Sequence, residues 1–241
     1  MTTNFPEVLP HSAIEEVFPN LFMVRGSFQM APLVTITRNM FILRNSDGEL
    51  TLINSVRLSD VGEAALGKLG EVKHLIRIGA FHDRDDPYFV HRYKPTFWAL
   101  PGTRHSLDIT ADAELKEGGE LPIEGASLFV FKNARFPECA LRLEDAGGTL
   151  VTCDSVQNIV ETDGFSPVGK VVTRLMGFLR PAGIGGPWRK AMSRKEGPPL
   201  ADDFQRLMEL PFENVLSAHG PPHTGDVKAD LRRTMEKVFT K

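Results

Sequence analysis

The chain has 241 residues, 41% of them hydrophobic and 24% charged, with a formal net charge of −3. That is enough apolar material for one sizeable core. The charge balance makes no electrostatic case for binding nucleic acid or an anionic membrane. The first residues, MTTNFPEVLPHSAIEEV, lack a basic stretch followed by an apolar run, so no secretory signal is expected. No apolar run approaches the roughly 18 residues needed to span a bilayer. Cys139 and Cys153 each sit in an apolar, β-like run. They read as buried free thiols, which suits a reducing, cytoplasmic setting.

In chain order, NLFMVRGSF and TRNMFILRN read as strands, with LTLINSV after the turn at Asp47-Gly48. SDVGEAALGKLG reads as a helix capped by Ser59 and stopped by Gly70. VKHLIRIGA is a strand that runs into the polar loop GAFHDRDDPYFVHRY. A short helical or irregular stretch leads to a strand in KPTFWALPG. SLFVFKN, ECALRLED and AGGTLVTCDSV supply three more strands. DFQRLMEL reads as a helix, NVLSAHG as a strand and loop, and DVKADLRRTMEKVF as an amphipathic terminal helix. The order implies an α/β (α+β) fold with helices outside the sheets.

The segment at about 164–199 differs from the rest. It is rich in Gly and Pro and carries Lys170, Arg174, Arg180, Arg189, Lys190, Arg194 and Lys195. One reading is a surface excursion with one helix, VVTRLMGFL, and a solvated basic end. The other is a lid over the site or an arm between two copies, so a homodimer is an open expectation.

Titratable residues collect where strands end. His82 and Asp86 follow HLIRIG, Asp154 ends TLVTCD, and His219 ends NVLSAH. Groups at the C-terminal ends of several strands share one sheet edge, where open α/β folds place their sites. No G-x-G-x-x-G, G-x-x-x-x-G-K-[ST] or G-x-S-x-G is present, so phosphate cradles and nucleophile elbows find no support.

Four stretches carry a resemblance to the metallo-β-lactamase-fold hydrolases: VFPNLFMVRG, DGELTLINS, GGTLVTCDSV and VLSAHGPP. They are similar to the opening strand pair, the glycine-turn hairpin, the strand ending in the bridging aspartate, and the strand ending in the last histidine. GAFH is similar to the NxFH-type loops of one branch of that superfamily. The resemblance covers roughly 14–225 and implies a single αββα sandwich over residues 1–241, with 164–199 as an insertion.

The family's H-x-H-x-D-H loop is degenerate here. His82 stands at the first histidine and Asp86 at the aspartate, while Arg84 and Pro87 replace the other histidines. NARFPECAL, where a further histidine ligand belongs, has none. Asp154 and His219 match the bridging aspartate and the final histidine. The resemblance therefore implies a metal set of His82, Asp86, Asp154 and His219. It would hold one divalent ion (zinc, iron or manganese) at the second metal position, where Asp86, Asp154 and His219 remain. Asp83 or Asp85 would act as general base, and Arg84 or His82 as oxyanion stabiliser, in hydrolysis of an ester, lactone, thioester or phosphoester.

The competing reading is a metal-free protein. In it Arg84 pairs with Asp86 and Asp154 and offers a contact to a small anionic ligand. Glu138, on the loop that lost its histidine, is the foremost substitute ligand, ahead of Asp83, Asp85, His91 and His223. Tyr88, Trp98 and Phe136 are candidates for a pocket wall, or for the core. The expected partner is a small-molecule substrate.

Overall fold

Strands that are apolar at nearly every position are suited to burial on both faces, and this chain uses them in that way. The computed structural model describes residues 5–107 and 109–239. The first half contains β1 (Glu15–Phe18), β2 (Leu21–Ala31), β3 (Val34–Arg44), β4 (Glu49–Ile53), α1 (Asp60–Leu69), β5 (Glu71–Arg77), α2 (Asp86–Tyr93), β6 (Thr96–Ala99) and β7 (Ala113–Glu114). The second half contains β8 (Ala126–Val130), β9 (Cys139–Leu143), α3 (Asp145–Gly148), β10 (Thr149–Thr152), β11 (Gln157–Ile159), α4 (Pro167–Leu175), β12 (Arg180–Gly183), α5 (Gly186–Met192), α6 (Leu200–Glu209), β13 (Asn214–Ser217), β14 (His223–Thr224) and α7 (Val227–Phe239).

The first sheet runs β1-β2-β3-β4-β5-β6-β7 and the second β14-β13-β10-β9-β8, while β11 and β12 pair separately. In the first sheet the hairpins as far as β4 are antiparallel, and β4 to β7 are parallel. In the second, β10 and β13 are parallel neighbours.

Alternation along each strand sorts the apolar side chains into three layers. Phe41, Ile53, Ile76, Leu141, Val151 and Leu216 fill the space between the two sheets. Met40, Ile42, Leu52 and Leu75 face the other way, against Leu66 of α1 and Phe89 of α2. Ala140, Leu150 and Val215 on the outer face of the second sheet meet Trp188, Phe204 and Leu231 from α5, α6 and α7. Helices outside two packed sheets make an αββα sandwich. Each large apolar side chain fully withdrawn from water contributes about 1.5–3 kcal/mol to it.

The helix expected after Ser59 forms as read: the Ser59 side chain accepts from the Gly62 N–H, and the helix stops at Gly70. The segment at 164–199 is more than a surface excursion with one helix. It supplies α4, β12 and α5, and Trp188 and Met192 are buried in the core. Trp188 packs edge-on against Phe131 and Phe204, each ring 6.0 Å away. Pro187, which lowers the apparent helicity of the sequence, sits in the first turn of α5, where its missing N–H costs nothing. Two of the basic residues are engaged with main-chain carbonyls: Arg189 donates to Val238 and Arg194 to Ala134. Both cysteines are free and buried. Among the described residues no helix is long and apolar enough to cross a membrane.

Candidate metal centre

Three strand ends converge. β10 and β13 pair in register, with Thr152 opposite Ser217, so each strand releases its candidate ligand, Asp154 or His219, two positions later. His82 arrives from β5 through Gly79, which passes directly under Cys153. A Cβ on Gly79 would lie 2.3 Å from the Cys153 sulfur, so only glycine lets this loop close onto Asp154. Behind His219, Gly220 has φ +91°, and a Cβ there would lie 1.8 Å from the Asn158 carbonyl oxygen.

His82, Asp154 and His219 are buried, and their donor atoms lie within 4.8 Å of one another. His82 Nε2 is 3.3 Å from His219 Nε2. Asp154 Oδ1 is 3.1 Å from His219 Nε2, and its Oδ2 is 3.5 Å from His82 Nε2. Gln157 Nε2 donates to Asp154 Oδ1 at 3.1 Å. His219 Nδ1 lies 2.7 Å from the Thr37 carbonyl oxygen. A carbonyl only accepts, so Nδ1 carries the hydrogen, and Nε2 is left to donate to Asp154 when it bears a proton or to ligate an ion when it does not.

The donor set fits a metal. Two imidazoles and one carboxylate are the ligands of catalytic zinc and of non-haem iron sites, with positions left open for water or substrate. The two imidazole nitrogens lie 3.3 Å apart, close to the edge of a tetrahedron with bonds of about 2.0–2.1 Å, and an Asp154 oxygen lies within 4.8 Å of both. The Thr37 carbonyl supplies the outer contact that fixes a ligating imidazole.

Ionisation states agree. Burial pushes the His82 imidazole below its usual range, and Asp154 only partly opposes this, which favours the uncharged form that can ligate. Burial alone would raise the Asp154 carboxyl, but His82 and His219 outweigh it and hold the group well below the usual carboxylate range. Glu138 behaves oppositely. Burial, with ionised Asp154 adding to it, pushes its carboxyl well above the ordinary value. Burial also pushes up both thiols, so neither cysteine is a ready nucleophile.

Asp86 does not join this group. Its Oδ2 accepts from Arg77 Nε at 2.6 Å and its Oδ1 from Ser55 Oγ at 2.5 Å, so both oxygens are engaged elsewhere. The expected bases are engaged too. Asp85 accepts from Arg38, from Arg84 and from the Arg57 N–H, and Asp83 accepts from Ser106. Arg84 pairs with Asp85 and the Glu7 carbonyl, not with Asp86 or Asp154. Glu138 lies against the Ala80 N–H and outside the three-donor group. His223 pairs with Asp230, His91 lies beside Phe5, Tyr88 bonds Glu63, and Trp98 donates to His74. Phe136 abuts Phe81 at the edge of the site.

The neighbouring polar residues not singled out from sequence are Gln157 on β11 and three residues on β3. Thr37, Arg38 and Asn39 are consecutive and all buried. Asn39 donates to the Ser217 and Gly220 carbonyls, tying the two sheets together beside His219. Three consecutive polar residues between Ile36 and Met40, in the middle of a largely buried strand, were the available signal. Over the centre lies a cavity of about 350 Å³, with Arg38, His82, Asp154, Gln157 and His219 on its polar side. Phe28, Ile36, Phe165, Val172 and Phe178 form much of its apolar wall.

No protein-family model and no curated protein matches the sequence. Solved structures do match. The DIM-1 metallo-β-lactamase exposed to ceftazidime superposes with a TM-score of 0.65 at 13% identity, over 96% of this chain and 99% of that one. The FIM-1 metallo-β-lactamase from Pseudomonas aeruginosa, in a mono-zinc form, gives 0.61 at 12% identity, over 96% and 97%. A flavo di-iron protein from Thermotoga maritima gives 0.63 at 15% identity, over 95% of this chain and 62% of that one. At such identities the likeness is one of fold, and that fold is the metallo-β-lactamase αββα sandwich.

Proposed function

We propose that this chain, with its metallo-β-lactamase fold, is a metal-dependent hydrolase with one ion held by His82, Asp154 and His219. The observation that carries the reading is the convergence of three buried donors, one each from His82, Asp154 and His219, within 4.8 Å of one another. A divalent ion held there supplies Lewis-acid polarisation of a carbonyl or phosphoryl oxygen and acidifies water toward neutrality.

The chain's own groups do the rest. Thr37 and Gln157 fix the orientation of His219 and Asp154. Asp154, held ionised, serves as ligand rather than base. The buried Arg38 guanidinium is placed to stabilise negative charge developing on a substrate oxygen. The apolar wall keeps bulk water from the reacting bond. In the net reaction the water oxygen bonds to the acyl or phosphoryl centre and the bond to the leaving group breaks. One proton of the water goes to the leaving oxygen or sulfur and the other to solvent, with no change of oxidation state.

Metal analysis of protein purified without chelator tests this. About one equivalent of zinc, iron or manganese is expected, falling below about a tenth in His219→Ala and Asp154→Asn. Hydrolysis of a panel of activated esters, thioesters and phosphoesters should disappear with chelator and return with the ion. Failure of the wild-type protein to take up any transition metal after reloading would remove the reading.

A further inference from the structure

The cavity is graded from floor to mouth. At its floor Arg38, His82, Asp154 and His219 are 2%, 6%, 8% and 6% exposed. Three other lining residues, Met30, Phe81 and Met176, are 45%, 46% and 47% exposed, and they mark its opening. Polar groups therefore lie deep and apolar ones lie at the rim, the reverse of a cleft built for a hydrophilic substrate. Apolar side chains left in water around an opening mark a place where something apolar binds. Two of the three are methionines, whose flexible side chains adapt to extended aliphatic groups.

The wall between floor and mouth is preformed. Ser166, the N-cap of α4, donates its N–H to the Thr35 carbonyl and accepts the Thr35 N–H, both at 3.0 Å. This fastens α4 to the β2–β3 hairpin, so Val172 of α4 and Ile36 of β3 line one continuous surface. At the floor, Arg38 gives one nitrogen to Asp85, while its buried Nε has no hydrogen-bond partner among the described residues. The guanidinium lies 5.4 Å from the Phe28 ring centroid, at the junction of polar floor and apolar wall. A buried guanidinium that lines the cavity at that junction suits an oxyanion or a carboxylate whose attached chain runs along the wall.

We propose that the cavity binds an amphiphilic acyl compound, with its carbonyl or carboxylate head at Arg38 and a single extended apolar chain running toward Met30 and Met176. For the reaction this rests on the hydrolase reading: the substrate is then an ester or thioester of an apolar acid. Water oxygen joins the acyl carbon, the alcohol or thiol leaves with a proton, and the acid is released as its carboxylate. Occupation of the cavity by that carboxylate does not depend on catalysis.

The test therefore uses metal-stripped full-length protein and a straight-chain alkanoate series from butanoate to dodecanoate, followed by calorimetry. Each added methylene should tighten binding about fourfold until the chain reaches the mouth, after which affinity levels off. Met176→Asp, a substitution at the exposed rim, should weaken decanoate about tenfold and butanoate less than about twofold. Arg38→Gln should weaken every member alike; should that variant not fold, Arg38→Lys gives the same comparison. Affinity that does not depend on chain length, or a Met176→Asp variant that binds decanoate like the wild type, overturns the assignment. Chain-length dependence without any metal uptake by the wild-type protein keeps the assignment and removes the hydrolase reading. Metal uptake with flat alkanoate affinity does the reverse.

Discussion

Arg77 and Asp86 form an ion pair withdrawn from solvent, with both side chains at 0% exposure and Arg77 Nε 2.6 Å from Asp86 Oδ2. Ser55 completes the carboxylate, and the Arg104 carbonyl takes a second guanidinium N–H. The pair joins the end of β5 to the start of α2, directly beneath the loop that carries His82.

Breaking this pair should destabilise the protein by about 3–5 kcal/mol, because the remaining charge stays buried alone. Urea denaturation of Arg77→Met should show that loss, and the double variant Arg77→Met/Asp86→Leu should recover most of it. Asp86→Asn should lose stability yet keep about one equivalent of metal in its folded fraction. Loss of metal from that variant would return Asp86 to the ligand set.

Gly79→Ala tests the convergence of the strand ends. The new methyl would meet the Cys153 sulfur at 2.3 Å, so either the His82 loop or Cys153 must move. Overpacking of this kind costs about 1–3 kcal/mol. Metal affinity, measured by competition with a chromogenic chelator, should fall tenfold or more. Unchanged affinity would show that His82 does not need its present position to bind the ion.

Glu138 gives a pH signature. Its carboxyl is raised well above the ordinary value of 4.5, chiefly by burial. The folded state therefore holds a proton that the unfolded state releases above about 4.5. From that pH upward, until the folded group itself ionises, this residue lowers stability as pH rises. Glu138→Gln removes the dependence. The variant should match the wild type in acid and become the more stable of the two toward neutral pH, as read from denaturation midpoints across the range. Parallel curves for the two proteins would show that Glu138 is ionised in the folded state.

The convergence of His82, Asp154 and His219 could be read from sequence, because the candidate site lies where apolar runs stop. His82, Asp154 and His219 each follow a strand whose hydrophobic pattern is unmistakable, and strand ends in an α/β sandwich share a rim. Asp86 misled for a local reason. It opens α2 with Pro87 behind it, and each helical residue turns the chain by about 100°. The turn carries the Asp86 carboxylate toward Ser55 and Arg77 and away from His82. Position within a motif gives spacing along the chain but not the direction of a side chain. Arg38 stayed hidden because polar residues on a strand usually face water, whereas β3 is covered on both sides and meets the end of β13 through Asn39.

The sequence by itself determined the layers: the alternating and continuous apolar runs, the caps at Ser59 and Gly70, and the titratable residues at three strand ends. Those are local properties, fixed by side-chain period and backbone preference. Only the tertiary structure decided which charges pair with which. Arg77 took Asp86, Arg38 and Arg84 took Asp85, and the histidines were left with Asp154. Ion pairing falls off steeply with distance and desolvation, and both are set by contacts between residues far apart in the chain.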